Sequence, residues 1–170
     1  MTPIPKKTVK IVPATLKDLA ALVELTMDLF RMESDFEPNR EKQEKGLRLI
    51  LEEPQRGRIF VLRSDRQIIG MVNLLFTIST AMGGFVLILE DFIIHPDHRG
   101  QGYGARLMEY VIDFARKKDF LRITLLTDKL SEDSQHFFRS LGFRDSAMIP
   151  MRLMIDGAVP QTFCTEPQEE

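Results

Sequence analysis

Apolar residues recur at helical intervals over the first third of the chain and then switch to the spacing of strands. The short apolar run Val9 to Pro13 reads as a strand. After it, Leu19, Leu22, Val23, Thr26, Leu29 and Phe30 fall three and four apart, the pattern of a helix offering one face to a core. Thr15 stands where its N-cap should be, with Asp18 three residues on, and the helix is expected to reach about Arg31. A polar stretch from Glu33 to Arg40 leads into a second helix from about Glu41 to Glu52, ending before Pro54. From Arg58 the period becomes two. Ile59 to Arg63 is a strand, Ser64-Asp65-Arg66 a turn, and Ile68 to Ile78 a strand with Ile68, Val72, Leu74, Phe76 and Ile78 on one face, opposite Asn73 and Thr77. A turn at Ala81 to Gly84 precedes the long apolar strand Phe85 to His95. No helix fits between these strands, so they form an antiparallel meander, and the last of them is apolar enough on both faces to be central.

The second half returns to helical spacing. A glycine-rich segment, Arg99 to Gly104, precedes a helix with Leu107, Tyr110, Val111 and Phe114 on one side, ending near Lys117 or Lys118. Leu121 to Thr127 follows as a strand, parallel to Phe85–His95 because a helical crossover joins them. Ser131-Glu132-Asp133 opens a short helix with Phe137, Phe138 and Leu141 inward, stopped by Gly142, and a last strand is expected near Met148 to Ile155. The fold class is therefore α/β (α+β): a mixed, mainly antiparallel sheet flanked by helices, with one parallel β-α-β unit around the glycine loop. Residues 1–8 read as a leader, 9–155 as one domain and 156–170 as a polar, mobile tail.

Composition narrows the class further. The 170 residues suffice for one domain, and 44 % apolar with 28 % charged residues excludes a wholly disordered chain. A net charge of −2 argues against a dedicated nucleic-acid or anionic-membrane binder. No apolar run approaches the roughly 18 residues of a membrane span. The single cysteine, Cys164, cannot close a disulfide within the chain or anchor a Cys-rich zinc site, which fits a reducing, cytoplasmic setting. The three histidines lack metal-ligand spacing, so no metal is expected. Should the protein oligomerise, a homodimer is the commonest form.

The glycine segment carries the clearest chemistry. Glycines between a strand and a helix N-terminus let backbone N–H groups approach a phosphate, and Arg99 adds positive charge. Gly100-Gln101-Gly102-Tyr103-Gly104-Ala105 also satisfies the dinucleotide pattern G-x-G-x-x-G/A. Against that reading, His95 to Arg99 separates strand from glycines, an antiparallel meander precedes them, and too little chain follows for a second nucleotide-binding half.

Read as R-x-x-G-x-G, with Arg99, Gly102 and Gly104 at the fixed positions, the segment resembles the pyrophosphate loop of the GNAT superfamily of acetyl-CoA-dependent N-acyltransferases. The order of elements from Val9 to Ile155 is similar to that family, as are the strand end Phe92 to Gly100 and the helix end Phe137-Phe138-Arg139-Ser140-Leu141-Gly142-Phe143. The resemblance implies acetyl-CoA as acyl donor. It places the pantetheine arm along the backbone of Phe92, Ile93 and Ile94 and the pyrophosphate on the amides of Gly100, Gln101, Gly102, Tyr103, Gly104 and Ala105. Ser131 falls at a position that bonds the arm, and Phe137 would pack on it, although Phe137 serves as well as a core aromatic.

An alkylammonium, with a pKa of about 10.4, must lose a proton before it can attack a thioester. Glu90 and Asp91 interrupt the apolar run of the central strand, where a carboxylate is costly unless paired or used. Strand alternation sends them to opposite faces. Leu89-Glu90-Asp91-Phe92 looks like the corresponding strand of diamine acetyltransferases, which favours Glu90 as the base. The helix position where many family members carry an acid tyrosine is Phe138 here. Glu33, Asp35 and Glu37, on a segment expected to border the acceptor, suit a cationic amine, or form an ordinary solvated connection. The activity implied is acetyl transfer to a primary amine of a small molecule or peptide. The alternative is a non-catalytic acetyl-CoA sensor, motivated by the missing tyrosine.

Overall fold

The computed structural model describes residues 8–33 and 35–155. The expected leader and the polar tail with Cys164 lie outside those residues, apart from Thr8. In chain order the elements are β1 (Val9–Pro13), a 3-10 turn (Leu16–Asp18), α1 (Leu19–Met32), α2 (Arg40–Glu52), β2 (Gly57–Ser64), β3 (Gln67–Ser79), β4 (Gly84–Ile94), a second 3-10 turn (Pro96–His98), α3 (Tyr103–Lys117), β5 (Ile123–Leu125) and α4 (Glu132–Ser140). The strands form one sheet in the order β1-β2-β3-β4-β5. Among the described residues only the β4–β5 pair is parallel, with Leu87 opposite Ile123 and Leu89 opposite Leu125.

The alternation of side chains across the sheet builds two apolar layers. On one face Phe60, Leu62, Val72, Leu74, Leu87 and Leu89 meet Leu107, Met108 and Val111 of α3, with Phe137 and Phe138 of α4 alongside. On the other, Ile59, Val61, Met71 and Ile93 meet Leu19, Leu22, Val23, Leu25 and Leu29 of α1 and Leu47 of α2. β4 is thus covered on both faces, as its composition predicted.

The first helix begins three residues later than the Thr15 cap suggested, for an electrostatic reason. Asp18 accepts the Thr15 N–H at 2.9 Å and also the Arg63 Nη2–H at 2.8 Å, which holds the entry as a 3-10 turn against β2. Burial of Asp18 works against its ionised form, but the Arg63 and Thr15 hydrogen bonds prevail and hold its carboxyl below the usual range.

Three expectations are corrected. Ile78 does not face the core: it pairs with Phe85 at the tip of the β3–β4 hairpin, beyond the helices, and both are exposed. β5 runs for three residues rather than seven: its pairing with β4 ends at Leu125 opposite Leu89, where β4 bulges, and ahead of it Leu121 and Arg122 keep single backbone hydrogen bonds to β4 without joining the strand. No strand forms over Met148–Ile155. Met148, Ile149, Met151, Leu153 and Ile155 are 79–92 % exposed, and Arg152 is drawn off to Asp35 rather than laid along the sheet.

Candidate active site

The sheet opens where β4 passes β5. Parallel pairing stops at Leu89, so from Glu90 to Ile94 the strand has β3 on one side and, among the described residues, no strand on the other. The β3–β4 register jumps at the same place. Asn73 lies opposite Asp91 and Leu74 opposite Leu89, leaving Glu90 as the extra residue of a bulge. Leu87 and Leu89 join the α3 layer, and Phe92 packs with Ile94 in that same layer, while Ile93 lies on the α1 side. The parity of the strand therefore reverses between 89 and 92. Glu90 and Asp91 do not point to opposite faces, as plain alternation predicted: the bulge turns both toward α1.

Beyond the strand end the chain forms the 3-10 turn Pro96–His98 and then the glycine segment. Gly102 is the N-cap of α3 at φ 79°, a left-handed conformation that glycine adopts without penalty. The first helical bond runs from the Arg106 N–H to the Gly102 carbonyl, so Tyr103, Gly104 and Ala105 present N–H groups with no intrahelical partner. An open strand edge leading to a helix N-terminus fits an extended arm ending in a pyrophosphate. Gly104 has a different function from Gly102. It is helical, and a Cβ there would meet Cζ of Phe137 at 3.4 Å, an ordinary packing distance, so the Phe137 ring lies directly over the first turn of α3. Arg99 donates from Nε to the Ile94 carbonyl at 2.9 Å, taking up one backbone group of the strand end, and its Nη1 lies 3.6 Å from the Met32 sulfur. The C-terminal end of α1 is thereby fixed beside the glycine loop. Gln101, also in this loop, donates to the Asp97 carbonyl at 3.4 Å.

That placement brings Glu33, which immediately follows α1, toward the bulge. Burial first, then the charges of Asp91, Asp128, Asp35 and Glu90, raise the Glu33 carboxyl to about 7. Burial and the neighbouring Glu90 also raise Asp91, to about 6, in spite of the 2.8 Å hydrogen bond it accepts from Asn73 Nδ2. Asn73 is 3 % exposed, and its Oδ1 has no hydrogen-bond partner among the described residues. Asp35 accepts a hydrogen bond from Arg152 Nη1 at 2.7 Å, while the Arg152 guanidinium carbon lies 5.3 Å from the centre of the Phe36 ring. Glu37 is exposed. Glu33 and Asp35 thus belong to a carboxylate group that includes the bulge, which hydropathy and spacing alone left indistinguishable from a solvated loop.

A raised carboxyl has a consequence for stability. Glu33 in the folded chain retains a proton that the unfolded chain loses above its ordinary value of 4.5, so its contribution to stability declines as pH rises from there through about 7. Glu33→Gln is expected to melt about 2–4 °C above the unsubstituted protein at pH 8 and level with it at pH 4.5, measured by calorimetry.

The remaining predicted residues are mostly held by their neighbours. Ser131 caps α4, accepting from the Ser134 N–H and donating to Ser134 Oγ at 2.8 Å. Phe137 stacks on Phe92 with ring centres 5.6 Å apart. Phe138 lies against Phe92, Phe137 and Phe143, in an aromatic cluster that offers no proton donor of its own. Tyr110 packs edge-on to Phe60 at 5.0 Å and Tyr103 borders the same core, in keeping with structural rather than acid functions. The G-x-G-x-x-G/A match lies in a sheet with a single parallel pair, not the doubly wound sheet of a dinucleotide fold.

Known proteins agree with this architecture. Residues 19–143 match the acetyltransferase (GNAT) family. The chain belongs to that family. It is 37 % identical over 68 residues to an uncharacterized N-acetyltransferase of Gracilaria tenuistipitata, covering 40 % of this chain and 36 % of that one. It is 35 % identical over 57 residues to the streptothricin acetyltransferase of Streptomyces lavendulae, covering 34 % of this chain and 30 % of that one. The matches thus span about a third of the length of these curated relatives. Among solved structures, a probable acetyltransferase is similar at 26 % identity and a TM-score of 0.73, over 86 % of this chain and 97 % of that one. A predicted acetyltransferase of Clostridium acetobutylicum, solved with acetyl-CoA, shares the fold at 18 % identity and a TM-score of 0.70, over 88 % and 98 % of the two chains. Among the described residues, no helix is long and apolar enough to cross a membrane.

Proposed function

We propose that this protein is an N-acetyltransferase that moves the acetyl group of acetyl-CoA directly to a primary amine. The observation that carries the reading is the β4 bulge: it sets Glu90 and Asp91 on one face, at the point where the strand edge opens toward the N-terminus of α3. The open edge of Phe92 to Ile94 receives the pantetheine arm, and the amides of Tyr103, Gly104 and Ala105 receive the pyrophosphate, favoured by the helix dipole. Gly102 shapes the approach to those amides, and Phe137 borders the arm from α4.

Asp91 is the proposed base and Glu90 its electrostatic companion. Asp91 is oriented by Asn73, and its carboxyl, at about 6, is ionised at neutral pH yet closer to the task than an ordinary aspartate. It takes one proton from the ammonium, directly or through one water. The freed nitrogen lone pair forms the bond to the thioester carbonyl carbon, and the carbon–sulfur bond breaks with its electron pair going to sulfur. The second nitrogen proton leaves to the thiolate or to water. Phe138 can supply no proton, and a thiolate, whose acid has a pKa of about 8.5, departs without one.

The test pairs binding with turnover. Acetyl-CoA is expected to raise the melting temperature, and release of CoA thiol is expected with at least one member of a panel of polyamines, amino acids, aminoglycosides and peptides. A thermal shift with no release above hydrolysis would establish a binding module instead. A shift with NADH and none with acetyl-CoA would remove the donor assignment.

A further inference from the structure

After α4 the chain changes sides of the sheet. Phe143 still belongs to the α3-side layer, its ring centre 5.7 Å from that of Phe138, whereas Phe36 lies 5.5 Å from Phe30 of α1 on the opposite face. Arg152 reaches both Phe36 and Asp35, so the residues between Phe143 and Arg152 carry the chain from one face to the other. Nine residues span at most about 32 Å. A detour around β1 would cross the roughly 19 Å width of the five strands twice, which is more than the chain allows. The crossing is therefore at the β4–β5 edge, where Phe137 of α4 touches Phe92 of β4 and Met32 of α1 touches Arg99. That is the edge at which the site opens.

The crossing segment is held at its two ends. At one, Arg139 of α4 pairs with Asp145 at 2.8 Å. At the other, Arg152 donates to Asp35 at 2.7 Å, with its guanidinium carbon 5.3 Å from the Phe36 ring centre. Among the described residues no backbone hydrogen bond ties 144–155 to the sheet. Between the two anchors Met148, Ile149 and Met151 are 79–88 % exposed. The far anchor is also wet: the Arg152 and Asp35 side chains are 34 % and 43 % exposed, so salt screens the pair and little free energy is needed to part it. A segment rooted covalently at α4 and caught only weakly at its far end leaves and returns without disturbing either apolar layer.

We propose that residues 146–155 are a strap across the opening beside Asp91, with the contact of Arg152 to Asp35 and Phe36 as its catch, and that a molecule approaching Asp91 from this edge enters when the catch is released. The strap is argued from its path and its anchors; only the identity of what it admits, the acceptor amine, rests on the acetyl-transfer reading. Closed, it limits the access of water to a thioester held at the same edge.

Two measurements test the strap, and neither needs turnover. In the first, trypsin cleavage of the bond between Arg152 and Leu153 is followed by mass spectrometry. Asp35→Asn is expected to speed it about three- to fivefold, the factor an exposed ion pair supplies, and a change below about twofold overturns the catch. The second measures access to the site. In a Cys164→Ser background, the thiol of Asp91→Cys is alkylated with iodoacetamide, with and without Arg152→Gln. Loss of both the ion pair and the ring contact is expected to speed labelling about three- to tenfold. The exchanged pair Asp35→Arg with Arg152→Asp is expected to slow it again by at least about twofold. If Asp91→Cys does not fold, carbodiimide coupling of glycinamide to Asp91 itself, located by mass spectrometry, replaces the alkylation in the same comparison. Equal labelling with and without Arg152→Gln overturns the strap and leaves acetyl transfer standing, as does faster labelling that the exchanged pair does not reverse. Failure to bind acetyl-CoA overturns the acetyl-transfer reading and leaves the strap to these two measurements.

Discussion

The Asp91→Asn variant is expected to lose about two to three powers of ten in kcat toward its best amine at pH 7.5, the usual range for removing a general base. Its pH profile separates this effect from misfolding. In the unsubstituted protein kcat/KM is expected to fall as pH drops below about 6, where Asp91 takes up its proton and can no longer accept one. The variant has no such group. It depends on the fraction of amine already neutral, which rises about tenfold per pH unit below the amine pKa of about 10.4, so its deficit closes as pH climbs. The fold is expected to survive, since an amide oxygen at this position can still accept from Asn73, and loss of a carboxyl raised by burial removes a cost at alkaline pH. A rate that stays within about threefold of the unsubstituted protein removes Asp91 from the chemistry; if Glu90→Gln then collapses instead, the neighbouring bulge residue is the base.

The architecture was legible in the chain wherever burial follows a simple period. α3 ends at Lys117, close to where its apolar spacing runs out, and β2 to β4 form the expected meander because the short links Asp65–Arg66 and Thr80–Gly83 leave no room for a helix. The glycine segment was legible for a different reason: its residues answer to backbone conformation and ligand approach, which are local. What periodicity could not show was the bulge. A strand with one extra residue reads as plain alternation, and plain alternation separates Glu90 from Asp91, whereas the register jump at Asn73 brings them together. The acid group was hidden for a related reason. Glu33 and Asp35 are ordinary loop acids until the α1 end is packed against Arg99 and the bulge, a contact between residues more than sixty positions apart. The missing strand at Met148–Ile155 shows the converse: Met148, Ile149, Met151, Leu153 and Ile155 stay exposed, and a strand-like apolar pattern with nothing to cover it makes no strand.

The glycine loop is expected to respond unequally to the smallest possible change. Gly102→Ala places a Cβ on a residue held at φ 79°, where the left-handed conformation costs an L-residue about 1–2 kcal/mol. The chain can relieve that strain only by rotating the first turn of α3, which re-aims the amides of Tyr103 to Ala105 away from a common point. Acetyl-CoA affinity is therefore expected to fall by about ten- to a hundredfold, measured by calorimetric titration. Gly104→Ala makes the opposite trade. The position is already helical, alanine is favoured over glycine there by about 1 kcal/mol, and the new Cβ meets the Phe137 ring at 3.4 Å, a contact that a small shift of the ring relieves. Affinity is expected to stay within about threefold and the melting temperature to hold or rise. Equal losses at both positions would mean that the loop binds through overall smallness rather than through the N-cap conformation of Gly102. A loss at Gly104 alone would mean that the space beside Phe137, not the amide cluster, is what the donor fills.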